Sequence, residues 1–283
     1  MHRFHRNHLT STSGFTLIEL VVVMAILSIL GALTLAGLSG AATKSKQETT
    51  EFMINRLNDA IMDWYEDYED LAKPGGLVTL RRRMREEMPD SWAEVFANPA
   101  SPTTATGRAY SRYRASGSSH ANFEKYQSAE CLYMIITRSG RFPDFLEDIR
   151  PERIGDIDAD GLKEFWDGWG RPIAFFRWAP GFASLVQPIT SATGDPMDVD
   201  SPRADLSAYP LLPLIYSPGP DEAMNDPLSG PDGYGLTTAA SGWPDSALAS
   251  ICTFNAGGSG IVGSPKPGDA YLDNITNHDL MAR

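Results

Sequence analysis

An acidic segment in the middle of the chain has the spacing of a cation-binding loop. Its Asp residues alternate ahead of a Gly, which lets a tight loop turn carboxylate oxygens inward around a hard cation such as Ca²⁺. The acids take the first, third, fifth, ninth and twelfth positions of an EF-hand-type loop, with Asp as the last: Asp156, Asp158, Asp160, Glu164 and Asp167. The segment therefore predicts a calcium site.

Two features separate this segment from a complete EF-hand. Lys163 takes the eighth position, where an apolar residue would normally pair with a sister loop, and Pro151 lies close upstream of Asp156, so no clear helix leads into the loop. A D-x-D-x-D-G segment also forms ordinary solvated turns. We therefore predict calcium binding without an EF-hand, and a solvated turn is the alternative.

A second chemically distinctive residue is Glu19, which lies in a long apolar segment. It is the only ionisable side chain between Phe15 and Leu38. About two dozen apolar residues in a helix are long enough to cross a bilayer, where an ionisable residue is expensive and usually functional. A cut between Gly14 and Phe15 would create an α-amino group able to pair with Glu19 of a neighbouring copy. The alternative is a signal anchor that tolerates one Glu.

The sequence G-F-T-L-I-E-L at residues 14–20, behind a short basic leader, resembles the class III signal of type IV pilins and type II secretion pseudopilins. The resemblance implies that a prepilin peptidase cuts after Gly14 and methylates Phe15, and that Glu19 acts in filament assembly. It also implies a cytoplasmic leader, a single inner-membrane span and a periplasmic C-terminal domain. The implied partners are other pseudopilins, the inner-membrane secretion platform, a motor ATPase and a secretin.

The C-terminal half carries a second resemblance. W-G-R-P at residues 169–172, a predicted strand, and Y-S-P-G-P-D at residues 216–221 follow in the order found in the major pseudopilin of type II secretion. That resemblance implies a short antiparallel sheet packed on the long helix and a calcium loop with Asp221 and Asp273 as ligands. A long Gly, Ser and Ala-rich insertion separates Asp221 from Asp273, so Asp226 or Asp232 could substitute as a calcium ligand.

The remaining elements follow from periodicity. Apolar residues recur at spacings of three and four from Ile54 to Leu71, which predicts that the membrane helix continues as an amphipathic helix. A second helix is predicted over 124–139, and strands near 173–177 and 211–216. Residues 77–123 are predicted to be an insertion with a charged helix near 80–88 and an exposed loop over 98–119; 190–208 is a second polar insertion. The predicted segments are the leader 1–14, the membrane helix 15–42, its amphipathic continuation 43–73 and a globular domain 74–283.

The two cysteines, Cys131 and Cys252, allow one disulfide, which an extracytoplasmic location would permit. Two separately buried thiols are the alternative, because sequence does not show whether the two Cα atoms come within about 7 Å.

Composition and missing motifs narrow the class of function. The net charge is −12, and an acidic surface argues against nucleic acid as a partner because phosphate contacts need clustered basic residues. The basic segment 81–85 is followed at once by Glu86 and Glu87. The sequence has no H-E-x-x-H, paired C-x-x-C, G-x-S-x-G or Walker motif, so we do not expect an enzyme.

Together these observations predict an α+β pilin fold, with a long N-terminal helix packed on a small antiparallel sheet. The predicted function is that of a structural subunit of a type II secretion pseudopilus that binds calcium. The alternatives are a minor pilin of a type IV pilus, or a membrane-anchored calcium-dependent binding module that uses the pilin export route.

Overall fold

The computed structural model describes residues 15–72, 83–120, 123, 126–177, 179, 182, 184–187, 212–220 and 273–283, with backbone alone at 35–37 and 69–72. The chain divides into two compact units, Met1–Ser45 and Lys46–Arg283. One helix, α1 (Leu17–Ala72), begins in the first unit and ends in the second.

The two parts of α1 differ in the environment of their side chains. Over residues 17–34 the apolar side chains are exposed, and the helix is long and apolar enough to cross a membrane. Beyond Lys46 one face is buried in the core, as predicted from the spacing of its apolar residues: Met53, Ile54, Leu57, Ile61, Trp64, Tyr65 and Tyr68.

In its described residues the second unit contains short helices and two small antiparallel sheets. Its helices are α2 (Ala105–Gly117), α3 (Gln127–Arg138) and α4 (Asn277–Met281), with 3₁₀ turns at Phe145–Asp148 and Pro151–Arg153 and a helical stretch over 83–87. Strands β1 (Ile154–Gly155) and β2 (Glu164–Phe165) form a hairpin. Strands β3 (Ala174–Phe176), β4 (Leu214–Ser217) and β5 (Ile275–Thr276) form the other sheet, in the order β3-β4-β5.

Helix α3 is the central packing element of the second unit. It contacts α2, β2 and β3, and Cys131, Leu132, Met134 and Ile135 on it are fully buried. The long helix α1 together with small antiparallel sheets confirms the predicted α+β class and is consistent with the pilin fold.

The charged helix predicted near residues 80–88 is present over 83–87, but the exposed loop predicted over 98–119 was wrong for Ala105–Gly117, which form α2. Met84, Met88 and Trp92 are core residues, and Tyr110 on α2 is fully buried. The Thr104 hydroxyl accepts a hydrogen bond from the Gly107 amide and caps α2. Low apolar content predicted a loop, but a few large side chains and a good N-cap are enough to fold this stretch onto the core.

The disulfide that the two cysteines would allow is not formed at Cys131. Its side chain is a free, fully buried thiol within α3, and burial raises the pKa of this thiol well above its ordinary value. Cys252 lies outside the described residues. Of the two alternatives, a buried thiol in the core is the one observed at Cys131.

Candidate functional site

The first candidate site is the start of α1. The Glu19 carboxylate accepts hydrogen bonds from the Thr16 amide and the Thr16 hydroxyl, both at 2.8 Å. In return the Thr16 hydroxyl accepts a hydrogen bond from the Glu19 amide at 3.3 Å. This reciprocal pair is a capping box, which pairs amides that the first turn of a helix leaves without partners.

The capping box gives Glu19 a partner within its own chain, although the residue lies in an apolar segment. Both Glu19 and Phe15 are exposed, so the carboxylate is accessible to a group from another molecule. Gly14 and the rest of the predicted leader lie outside the described residues.

The second candidate site is the loop between β1 and β2. The predicted acidic segment forms the tip of this hairpin, preceded by a 3₁₀ turn and a strand rather than by a helix. The Asp156 side chain accepts hydrogen bonds from the amides of Asp160 and Gly161 at 3.1 and 2.9 Å. Positive φ angles at Ala159 and Gly161 close the turn, so the alternating Asp residues turn the backbone sharply, as their spacing predicted.

Four of the five predicted ligands of this loop come together in two overlapping groups. Carboxylate oxygens of Asp156, Asp158 and Asp160 lie within 4.8 Å of one another. Asp158 and Glu164 form a second group of the same compactness with Glu130. We call these five residues the carboxylate cluster; Asp156 is the most accessible of them and the other four are buried.

Sequence reasoning missed Glu130, which α3 brings to the hairpin. It lies in the segment S-A-E-C-L-Y-M-I-I, where the neighbouring residues are almost all buried. Trp92 donates a hydrogen bond from its indole nitrogen to Glu130 Oε2. A lone acid on the buried face of a helix was the signal that could have found it, because such a group requires a partner.

Burial and mutual repulsion dominate the electrostatics of the cluster. Burial, reinforced by Asp160, Glu164 and Asp158, raises the pKa of Glu130 to about 10. Burial likewise raises the pKa of Glu164 to about 8 and that of Asp160 above its ordinary value. Carboxyl groups in this arrangement become neutral unless a cation joins them.

Asp167 does not belong to the cluster, contrary to its predicted place at the twelfth loop position. Its Oδ1 accepts hydrogen bonds from the amides of Trp169 and Arg171 at 2.7 and 2.9 Å, and its Oδ2 accepts one from the Ser217 hydroxyl at 2.6 Å. Both oxygens therefore hold the turn before β3 and join it to β4. The hairpin ends with β2 at Phe165. Asp167, the twelfth position of the predicted loop, therefore lies in the turn that follows.

The predicted second calcium loop is described in part. Gly219, with a φ of +78°, lies so close to Asp273 that a Cβ placed on it would be 2.3 Å from the Asp273 carbonyl oxygen. The pairing of Ser217 with Ile275 brings the two segments together. Asp221, Asp226 and Asp232 lie outside the described residues, so the ligand set of this loop stays a prediction.

Comparison with known proteins bears on the first candidate site. Residues 9–35 match the model of the prokaryotic N-terminal methylation motif. No curated protein and no solved structure gives a match to this chain. The matched segment contains Gly14, Phe15, Glu19 and the first turns of α1.

The motif indicates a type IV pilin-like protein that is processed as a prepilin. Proteins with this motif are handled by a peptidase and assemble into pilin-type filaments, and the family is structural rather than enzymatic. The apolar part of α1 is compatible with a single-pass membrane anchor.

Proposed function

We propose that this chain is a structural subunit of a type II secretion pseudopilus. The observation that carries the proposal is the methylation motif at the start of an exposed apolar helix that continues into a folded unit. A helix whose exposed side chains are nearly all apolar over residues 17–34 requires lipid or other helices around it.

Contacts between the two C-terminal motif segments support a pseudopilin over a surface pilin. Arg171, in the W-G-R-P turn, donates a hydrogen bond to the Gly219 carbonyl at 2.7 Å, and Ser217 donates one to Asp167 at 2.6 Å. The paired segments that carry the resemblance to the major pseudopilin are therefore one structural unit. A type IV pilus subunit is the other candidate.

The chemistry of assembly would follow from processing. Cleavage after Gly14 leaves a methylated amine on Phe15, and the carboxylate of Glu19 in a neighbouring subunit would exchange its Thr16 hydrogen bonds for this cation. An ion pair in apolar surroundings strongly favours the register between neighbouring subunits in which it forms, because either charge alone would be costly there.

In this function, subunits enter the filament at its base. The leader would lie in the cytoplasm and the C-terminal unit in the periplasm, where the growing filament pushes folded proteins towards an outer-membrane secretin. Prepilin peptidase, the inner-membrane platform and the motor ATPase are the partners of this function.

The proposal includes calcium at the second loop. The close approach of Gly219 to Asp273 supports it, because a residue without Cβ there lets the two loop backbones meet, and oxygen-rich turns of this kind suit Ca²⁺. Asp221 and Asp273 would be the ligands, with Asp226 or Asp232 as substitutes for Asp221.

The test combines mass spectrometry with an assembly assay. Protein from native membranes should begin at methylated Phe15, and the Glu19→Ala variant should be processed but absent from cross-linked filament ladders. Asp63→Ala, an exposed acid on the same helix, should assemble normally. An intact Met1 terminus, or normal assembly of Glu19→Ala, would refute the filament function; filaments at the cell surface would indicate a pilus instead.

A further inference from the structure

We propose that Glu130, Asp158 and Glu164 bind one calcium ion between α3 and the β1–β2 hairpin. Their carboxylate oxygens lie within 4.8 Å of one another, and all three side chains are buried. Glu130 comes from a helix, and the other two come from a loop and a strand that follow it in the chain. The ion would thus join two separate elements of the second unit.

Buried carboxylate oxygens without hydrogen-bond donors point to a ligand. Within the described part of the chain, Glu130 Oε1 and Glu164 Oε1 are buried and accept no hydrogen bond. The same holds for Asp160 Oδ2. A buried polar atom without a partner is costly, so three such oxygens in one cluster require either protons or a cation.

The other oxygen of each Glu is fixed by the protein. Trp92 donates to Glu130 Oε2, while the Ile157 amide and the Trp166 indole donate to Glu164 Oε2 at 3.3 and 3.4 Å. Donors that hold one carboxylate oxygen and leave the other open commonly orient the ligands of metal sites.

The donor set selects the class of ion. Its members are carboxylates, with neither Cys nor His in either group, which disfavours zinc and suits a hard cation. Calcium accepts irregular sets of several carboxylates, whereas magnesium requires near-octahedral geometry and keeps most of its waters. Asp160, which shares the first group with Asp158, would extend the negative charge around the ion.

The proposal is independent of the filament function and differs from the predicted loop in its ligands. Glu130 replaces Asp167, which is committed to the turn before β3, and Asp156 is committed to the backbone of the hairpin. The alternative state has no ion: the buried carboxyls carry protons and share hydrogen bonds.

The experiment uses the full chain, purified in detergent and stripped of metal with a chelator. Terbium, a calcium substitute, should luminesce on excitation of tryptophan, because Trp92 and Trp166 contact two of the ligands. Calcium should displace it, and magnesium at the same concentration should not. Calcium should also raise the melting temperature of the stripped protein.

Glu130→Gln keeps the size of the side chain and an oxygen for Trp92 but removes the charge. We expect it to lose one calcium per chain in equilibrium dialysis, or to bind that ion at least about tenfold more weakly. The exposed Glu147→Gln should bind as the unmodified chain does, and Asp273→Asn should report separately on the second loop. Circular dichroism shows whether each variant is folded.

Two results would overturn the proposal. One is the absence of tryptophan-sensitised terbium luminescence in the unmodified chain, which does not depend on any variant folding. The other is equal calcium stoichiometry and affinity in folded Glu130→Gln; if that variant does not fold, Asp158→Asn at the hairpin tip takes its place. Failure here would leave the processing and assembly results unchanged, so the two proposals are separable.

Discussion

His278 shows how one buried residue ties the C-terminal end of the chain to the core. Its Nε2 lies 3.1 Å from the Pro213 carbonyl oxygen, and its Nδ1 lies 2.9 Å from the Ser184 hydroxyl. The Phe182 ring packs edge-on at 5.2 Å. Burial lowers the pKa of His278 to about 4, although the nearby Asp279 acts in the opposite direction.

We expect His278 to make stability fall as the pH falls from about 6.5 to about 4. The unfolded chain takes up a proton below pH 6.5, whereas the folded ring stays neutral until about pH 4, so protons favour the unfolded state between these values. The expected loss is about 2 kcal/mol by pH 5. Urea unfolding at several pH values measures it, with His278→Asn as the control that should lack this component. An identical pH dependence in both proteins would contradict the prediction.

At the scale of elements, α1 contacts the turn before β3 at a place that requires glycine. The Gly168 amide donates a hydrogen bond to the Thr50 hydroxyl at 2.8 Å, and that hydroxyl donates to the Lys46 carbonyl at 2.9 Å. A Cβ on Gly168 would lie 2.1 Å from the same carbonyl oxygen. Helix backbone and turn backbone are therefore in direct contact.

Gly168→Ala should destabilise the protein by about 1 to 3 kcal/mol, because the new methyl group would push the turn away from a carbonyl that cannot move without bending α1. The measurement is the free energy of unfolding from urea titration. Gly40→Ala is the control: Gly40 lies in α1, its Cβ would meet nothing within 4 Å, and Ala favours a helix over Gly by up to about 1 kcal/mol. Equal stability of the two variants would show that the close approach is not real.

At the scale of the whole molecule, the two units differ in what surrounds their apolar residues. The described core residues all belong to Lys46–Arg283, and the apolar side chains of α1 that the structure describes over residues 17–34 are exposed. The first unit therefore depends on a membrane or on other helices, while the second has a core of its own.

A fragment of residues 46–283 should fold and stay soluble without detergent. It retains Thr50 and the Lys46 carbonyl together with every described core side chain. Circular dichroism and a cooperative thermal transition would demonstrate this. A fragment of residues 56–283, which lacks Met53 and Ile54 of the core, should melt lower or aggregate. If both fragments aggregate alike, the second unit requires the first.

Much of the fold could be predicted because its signals are local in sequence. The apolar run, the three-and-four spacing on α1 and the two strand segments each report on one element, and the structure places helix and strands there. The exception was the exposed loop predicted over residues 98–119, where α2 forms and a few buried side chains outweigh a polar composition. Periodicity does not reveal such packing, because the partners of Trp92 and Tyr110 are distant in sequence.

The sequence by itself determined the processing motif, the membrane-compatible helix and the turn formed by the alternating Asp residues, since each depends on neighbours within about ten positions. Only the tertiary structure decided which acids share one buried space. Glu130 lies beside Asp158 and Glu164 because α3 packs on the hairpin. Asp167 lies outside this group, in a turn where Ser217 of β4 donates a hydrogen bond to it. Proximity between distant segments follows from packing of the whole core, which no local spacing encodes.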